Sequence, residues 1–292
     1  MVLMRLTLKQ ARAAPMNQLT LIARSAALVA AMLTAIGRQA VAAETVADLY
    51  RAQVHVTGQE EPARSNGFAA GLADVLAKLS GDPSLIGDPA VAKLGEAAAS
   101  LVTTFSYRDL MAGIPLHDEQ GTRQRPYILT IDFDRERIDA ALKSLGRTPW
   151  PAERPRLILF IAVDNGTAPY LLAIDGPHGR DQRDALADVS WRYGVPFGLP
   201  RLTSMSELGL FVQTVPTASL KRLQAVAQNF GGDFALAGTL TWTAKDLGWT
   251  ANWRFAPAGE TYQWSVKGVS FDAAFRSALL GAAQILSGHG AP

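Results

Sequence analysis

Along the first patterned stretch, LYRAQVHVTG from Leu49 to Gly58, the residues Tyr50, Ala52, Val54 and Val56 alternate with Leu49, Gln53 and His55. A period of two predicts a half-buried strand, which Gly58 ends. From Pro62 to Leu79 the period lengthens to that of a helix: Phe68, Leu72, Val75, Leu76 and Leu79 share one face, and Ser80-Gly81 supplies the stop. Asp88-Pro89 reads as an N-cap with proline at the first helical position, and predicts a second helix that buries Val91, Leu94, Leu101 and Val102. Thr103 to Tyr107 should be extended. Ala112 to Arg125, with Gly113, Pro115 and Gly121 among charged residues, reads as an exposed hairpin tip, and Pro126 to Phe133 as the returning strand. Asp134 then caps a short helix with Ile138, Ala141, Leu142 and Leu145 inward and Gly146 at its end.

The pattern breaks at RTPWPAERP, Arg147 to Pro155, whose three prolines forbid helix and sheet interiors. This run is the expected boundary between two domains. Beyond it, RLILFIAV from Arg156 to Val163 is continuously apolar, as in a strand covered on both faces. A helix is predicted from Asp181 to Tyr193, a short strand at Val195-Pro196-Phe197, and a helix from Thr217 to Phe230 with Leu220, Leu223, Val226 and Phe230 inward. That order implies right-handed crossovers over one sheet. Leu236, Leu240 and Trp242, then Trp249, Trp253 and Phe255, then Tyr262, Trp264 and Val266 occupy one parity of three successive segments, which predicts an antiparallel meander. Its cover should be a last helix bearing Phe271, Ala274, Phe275, Ala278, Leu279, Ala282 and Ile285 on one face.

One segment predicts location rather than fold. RSAALVAAMLTAIGRQAVAAE, Arg24 to Glu44, has a positive residue, a short apolar run and the small residues Ala40, Ala42 and Ala43 of a cleavage site. Residues 1–43 are therefore expected to be a cleavable export signal, with the cut before Glu44 and the periplasm as destination. The run from Ser25 to Gly37 falls well short of the ~20 residues that span a bilayer, so no transmembrane anchor is expected in the mature chain. Met16 offers a second start, MNQLTLIAR, that fits a signal better than the longer leader. The chain has no cysteine, which excludes a lipobox, disulfides and thiolate chemistry. A net charge of +2 lacks the basic excess of a nucleic-acid binder.

The stretch LYRAQVHVTGQEEPARSNGFAAGLADVLAKLSGDPSLIGDPAV, with its strand, helix and SGDP turn, and the stretch RPYILTIDFDRERIDAALKSLGRTPWPAERPRLILFIAVDNG resemble the bacterial exported family DUF 2066. The resemblance runs strongly through Gly166 and loosely into the Trp-rich end. It implies an envelope protein and carries no catalytic residues to transfer.

Candidate chemistry is sparse. None of the four histidines, His55, His117, His178 and His289, is spaced to share a helical face with another as metal ligands; His117-Asp118-Glu119 is the sharpest metal option and reads better as an exposed polar loop, because metal ligands need a rigid frame. Asp132 and Asp134 lie two apart at a strand end, as paired carboxylates do, but Asp134 already has an N-cap role. Asp164 and Asp175 flank the turn after the buried strand, where parallel strands often line ligand clefts. GPHGRDQRD, Gly176 to Asp184, could hold an anion on its amides with Arg180 or Arg183 assisting, though it matches no nucleotide fingerprint. Ser204 with Glu207 reads as a capping box. The aromatic group of Trp242, Trp249, Trp253, Tyr262 and Trp264 could form a platform for a glycan or a partner, and fits a core better.

The expected fold class is α/β: a small α+β domain over 44–149, then an α/β domain over 150–292 with a mixed sheet, an antiparallel meander and a terminal helix. No catalytic, cofactor-binding or metal-binding residue is assigned and no cofactor is expected. The expected function is a non-catalytic envelope module that binds a protein partner. The alternatives are a periplasmic hydrolase of cell-wall or glycan material and a small-ligand binder in the interdomain crevice.

Overall fold

The computed structural model describes residues 43–113 and 125–292. The expected export signal, up to Ala42, and the loop holding His117-Asp118-Glu119 lie outside the described residues. Strand β1 (Glu44–Thr45) is followed by β2 (Arg51–Thr57), in which Ala52, Val54 and Val56 are buried as the alternation requires. Helix α1 (Ala63–Ser80) lays Phe68, Leu72, Val75, Leu76 and Leu79 on that face, and Gly81, in the left-handed conformation at φ 72°, ends it. Helix α2 (Pro89–Gly95) starts where expected, with Asp88 accepting from the Ala90 amide at 2.6 Å. It stops early: a 3₁₀ turn over Ala98–Leu101 intervenes, and Val102 opens strand β3 (Val102–Asp109) instead of closing the helix. Strand β4 (Pro126–Phe133) lies between β2 and β3, and helix α3 (Arg135–Ser144) is capped by Asp134, which accepts from the Arg137 amide at 3.0 Å. This three-stranded antiparallel sheet and its helices enclose one core, centred on Leu72, Leu76, Leu129 and Ile131.

After β5 (Glu153–Arg154), which pairs with β1, the apolar run becomes β6 (Leu157–Asp164), buried along all but its last residue. Strand β7 (Tyr170–Leu172) folds back antiparallel on β6, helix α4 (Arg180–Tyr193) follows, and β8 (Phe197–Gly198) pairs parallel with the start of β6. Helices α5 (Leu202–Glu207) and α6 (Leu220–Asn229) lead to the meander of β9 (Phe234–Thr243), β10 (Gly248–Phe255) and β11 (Tyr262–Val269), then to helix α7 (Phe271–Leu286). The sheet order is β11-β10-β9-β6-β7 with β8 beside β6; β9 runs parallel to β6 and the meander is antiparallel. The α/β class with a mixed sheet, meander and terminal helix is what the molecule shows. The antiparallel return at β7 was not read from the sequence, because three residues are too few to display a period. The capping box at Ser204 and Glu207 does not form: both lie inside α5, whose first amide, Leu202 N, is held by Asp175 Oδ1 at 2.8 Å.

The larger sheet is covered on one face by α4 and α7 and on the other by α5 and α6, giving two cores about Trp253 and Phe160. Residues Val41–Pro292 form one compact unit. Between its two sheets runs a polar seam. Arg154, fully buried, donates to Lys78 O at 2.6 Å, Gly194 O at 2.7 Å, Tyr193 O at 3.1 Å and Pro151 O at 3.2 Å, and its guanidinium lies over Trp150. It thereby neutralises the carboxyl ends of α1 and α4, where helix dipoles place partial negative charge. Asp74 pairs with Arg192 at 2.6 Å and accepts from the Tyr193 hydroxyl at 3.2 Å.

Candidate functional site

Strands β6 and β9 run parallel and end together, and the chain segments beyond their carboxyl ends enclose a pocket of about 300 Å³. Its lining comes from five elements. Trp242, in the last turn of alternation on β9, stands opposite Trp249 on β10, and the two indoles pack edge to face at 5.5 Å. Tyr170, the first residue of β7, and Phe271, the first of α7, add two more rings. Polar groups come from the start of α4: Arg180, Asp181 and Gln182. Gln182 is 5 % exposed and its Oε1 accepts from the Tyr170 hydroxyl at 2.8 Å. Burial raises the Tyr170 phenol, so it stays a donor at neutral pH. Gly179 makes the turn into α4 at φ 75°, and a Cβ there would lie 2.5 Å from Leu172 Cδ1. Only glycine lets the loop approach so closely.

Two separate sequence candidates thus meet at one place: the glycine loop and the Trp-rich end. They do not contribute equally. Arg180 lines the pocket, whereas Arg183 is a structural clamp whose Nη1 donates to His178 O at 2.6 Å and Ala173 O at 3.2 Å. Asp164 turns back to accept from the Gly166 amide at 2.9 Å, and Asp175 is engaged by Leu202 N and Arg201. Among the tryptophans, Trp253 is fully buried against Phe275, Trp264 is half-buried with its Nε1 donating to Ser277 O, and Trp242 is 38 % exposed. Trp253 is thus core, and Trp242 is partly exposed.

Tyr170 also belongs to a neighbouring groove. A cavity of about 250 Å³ runs between β7 and α5, lined by Leu171, Pro177, Leu202, Leu210, Phe211 and Val212. Of its lining, Phe211 and Leu202 are exposed.

The remaining candidates have structural partners. Asp132 pairs with Arg51 at 2.6 Å and Asp134 caps α3, so the two carboxylates do not converge. His178 stacks beside Tyr170 at 5.2 Å, and His289 Nδ1 meets Ser287 Oγ at 2.9 Å. Among the described residues no group of three or more His, Asp or Glu is placed to hold a metal ion. Sequence reasoning missed the buried charges of the seam. Their signal is Asp74 and Lys78, four apart within the buried stripe of α1, where charge is costly unless partnered.

Residues 43–151 match the family model described as a domain of unknown function (DUF8605). This corrects the resemblance to DUF 2066: the match is to another family of unknown function, and it ends at residue 151 instead of continuing through Gly166. An alternating strand, an amphipathic helix and a glycine stop are dictated by burial and do not single out one family. No curated protein matches the chain. The C-terminal domain of LpoB from Salmonella enterica is similar at 14% identity and a TM-score of 0.23, over 38% of this chain and 82% of that one. A likeness at that level carries neither fold nor function.

Proposed function

We propose that this chain is an exported protein of the cell envelope that acts in the periplasm as a non-catalytic binding or assembly module, by docking a protein partner on the groove between β7 and α5. Residues 1–43 are the signal, and 44–149 and 150–292 the two domains of the mature chain. The observation that carries the reading is the groove: its lining is mostly apolar, and Phe211, 47 % exposed, lines it together with the exposed Leu202. Large exposed apolar side chains lining a mostly apolar cavity are the anatomy of a protein-binding surface. The partner it fits presents an apolar anchor. Export rests on the sequence from Arg24 to Glu44, whose positive residue, short apolar run and small residues have the dimensions of a signal. No helix among the described residues is long and apolar enough to cross a membrane.

The test is a photo-crosslinking residue placed at Phe211 in cells, with Gln263 on the distant strand β11 as control site. The adduct should be periplasmic, its amino terminus at or next to Glu44, with one protein joined at position 211 and none at 263. The purified partner should then lose at least tenfold in affinity with Phe211→Asp. Equal crosslinking at both positions, or an unchanged affinity, would refute the docking surface.

A further inference from the structure

We infer that the pocket at the carboxyl ends of β6 and β9 is a saccharide site, separate from the groove that docks the partner, and that its ligand is a neutral sugar. A pyranose ring has two kinds of surface: faces of aliphatic C–H groups, and an edge of hydroxyls that both donate and accept. A site for it needs flat apolar walls and a short arc of planar polar groups. The pocket provides both. Trp242 and Trp249, set at 72° to each other, give two walls of different inclination, and Tyr170 and Phe271 add two more rings to the lining. Rings of this kind give large contact area at little conformational cost.

The polar arc is the start of α4. Among the described residues, neither Arg180 nor Asp181 has an ion-pair or hydrogen-bond partner, and Gln182 spends its Oε1 on Tyr170, which leaves its amide nitrogen to donate. A guanidinium, a carboxylate and an amide side by side supply donors and acceptors to adjacent hydroxyls. The same three residues fix the charge preference: one cation and one anion cancel, so nothing in the lining favours a phosphosugar or a uronic acid. The volume of about 300 Å³ lies at the low end of small-molecule sites, enough for a ring or two. The position, outside the carboxyl ends of two parallel strands, is where open sheets leave a crevice for ligands.

The experiment is a titration of the protein as recovered from cells with chitotriose, cellotriose and maltotriose, and with trigalacturonate as the charged probe. Binding is followed by ligand-observed NMR and by tryptophan fluorescence. At least one neutral trisaccharide should bind with a Kd of about 1 mM or tighter. Trp242→Ala should weaken that binding tenfold or more, and Asp181→Asn severalfold. Both side chains are exposed, so the unfolding midpoint should stay put and report that the fold is intact. Phe211→Asp should bind the sugar as the unaltered protein does, which separates this site from the docking groove. Absence of binding by all three neutral probes, tighter binding of trigalacturonate, or unaltered affinity in Trp242→Ala would each overturn the assignment.

Discussion

Trp253 shows how closely one residue can dictate another across a sheet. It stands opposite Gly238 on β9, and a Cβ at that position would lie 2.1 Å from Trp253 Cζ3, so the indole occupies the space a side chain would take. Its other side meets Phe275 of α7 at 6.5 Å between ring centroids. The indole Nε1 is buried and has no hydrogen-bond partner among the described residues, a cost that the packing of the ring must exceed. Trp253→Ala should destabilise the fold by ~3–5 kcal/mol, and Gly238→Ala by ~1–3 kcal/mol, because the ring has to move. The two together should cost clearly less than the sum, since the new methyl group enters space the missing ring has vacated. Urea unfolding of the three variants checks this. Strict additivity would mean that the ring and the glycine do not share that space, and a Trp253→Ala variant of native stability would move this residue from core to surface.

At the scale of elements, what the sequence discloses is what burial imposes repeatedly. Strand β6 and helices α1, α3, α4 and α7 are long enough for several repeats of the apolar pattern, and glycine or an Asx cap marks their ends. β7 and α5 are short, and their positions are set by pairing and by the reach of Asp175, neither of which a local pattern records, whereas the short strand expected at Val195-Pro196-Phe197 is found as β8, shifted to Phe197–Gly198. The candidate pocket divides in the same way. Its pieces, Trp242, Trp249 and the loop before α4, are each conspicuous, but their meeting depends on the sheet order. The buried charges of α1 follow a different logic. Lys78 is 1 % exposed, donates to Arg51 O at 2.8 Å and lies over the Trp191 ring, and burial, with the positive charge of Arg154 adding to it and Asp74 opposing, lowers its ammonium to about 8. In the unfolded chain it titrates near 10.4. Between these values the unfolded state binds more protons than the folded one, so stability rises with pH, and the contribution is lost again as pH falls through about 8. The gain from pH 8 to 10 should be roughly 2 kcal/mol in the native protein and near zero in Lys78→Met. Tyr50 and Tyr193, both raised to about 12, lose their contribution only above that window. Denaturant midpoints across pH 7–10 measure the difference, and parallel profiles for the two proteins would show that Lys78 is not held charged against burial.

For the molecule as a whole, the question is what makes two sheets with separate cores behave as one body. The connections are few and mostly polar: β1 against β5, Trp150 N to Leu79 O at 2.6 Å, Ser287 Oγ to Gly81 O at 3.1 Å, the Asp74 pair with Arg192, and above all Arg154. Burial lowers the Arg154 guanidinium to about 10, still charged at neutral pH, and it has four carbonyl partners where a carboxylate might have been expected. Because three of those carbonyls sit at the ends of α1 and α4, one side chain fastens a helix of each sheet. Arg154→Met keeps much of the volume but leaves the carbonyls without donors, at a cost on the order of 3 kcal/mol. The consequence for cooperativity is larger than that figure suggests, since the loss falls on the joint and spares both cores. Four of the six tryptophans, Trp242, Trp249, Trp253 and Trp264, stand in the larger sheet, so most of the fluorescence follows it, Trp150 and Trp191 report the seam, and the Tyr50, Tyr107 and Tyr127 resonances follow the smaller sheet. In the native protein the two signals should lose structure at the same urea concentration, as in a two-state transition. In Arg154→Met the tyrosine transition should move to lower urea and separate from the tryptophan transition. A single coincident transition in the variant, merely shifted, would show that the halves are held together by surfaces other than this guanidinium.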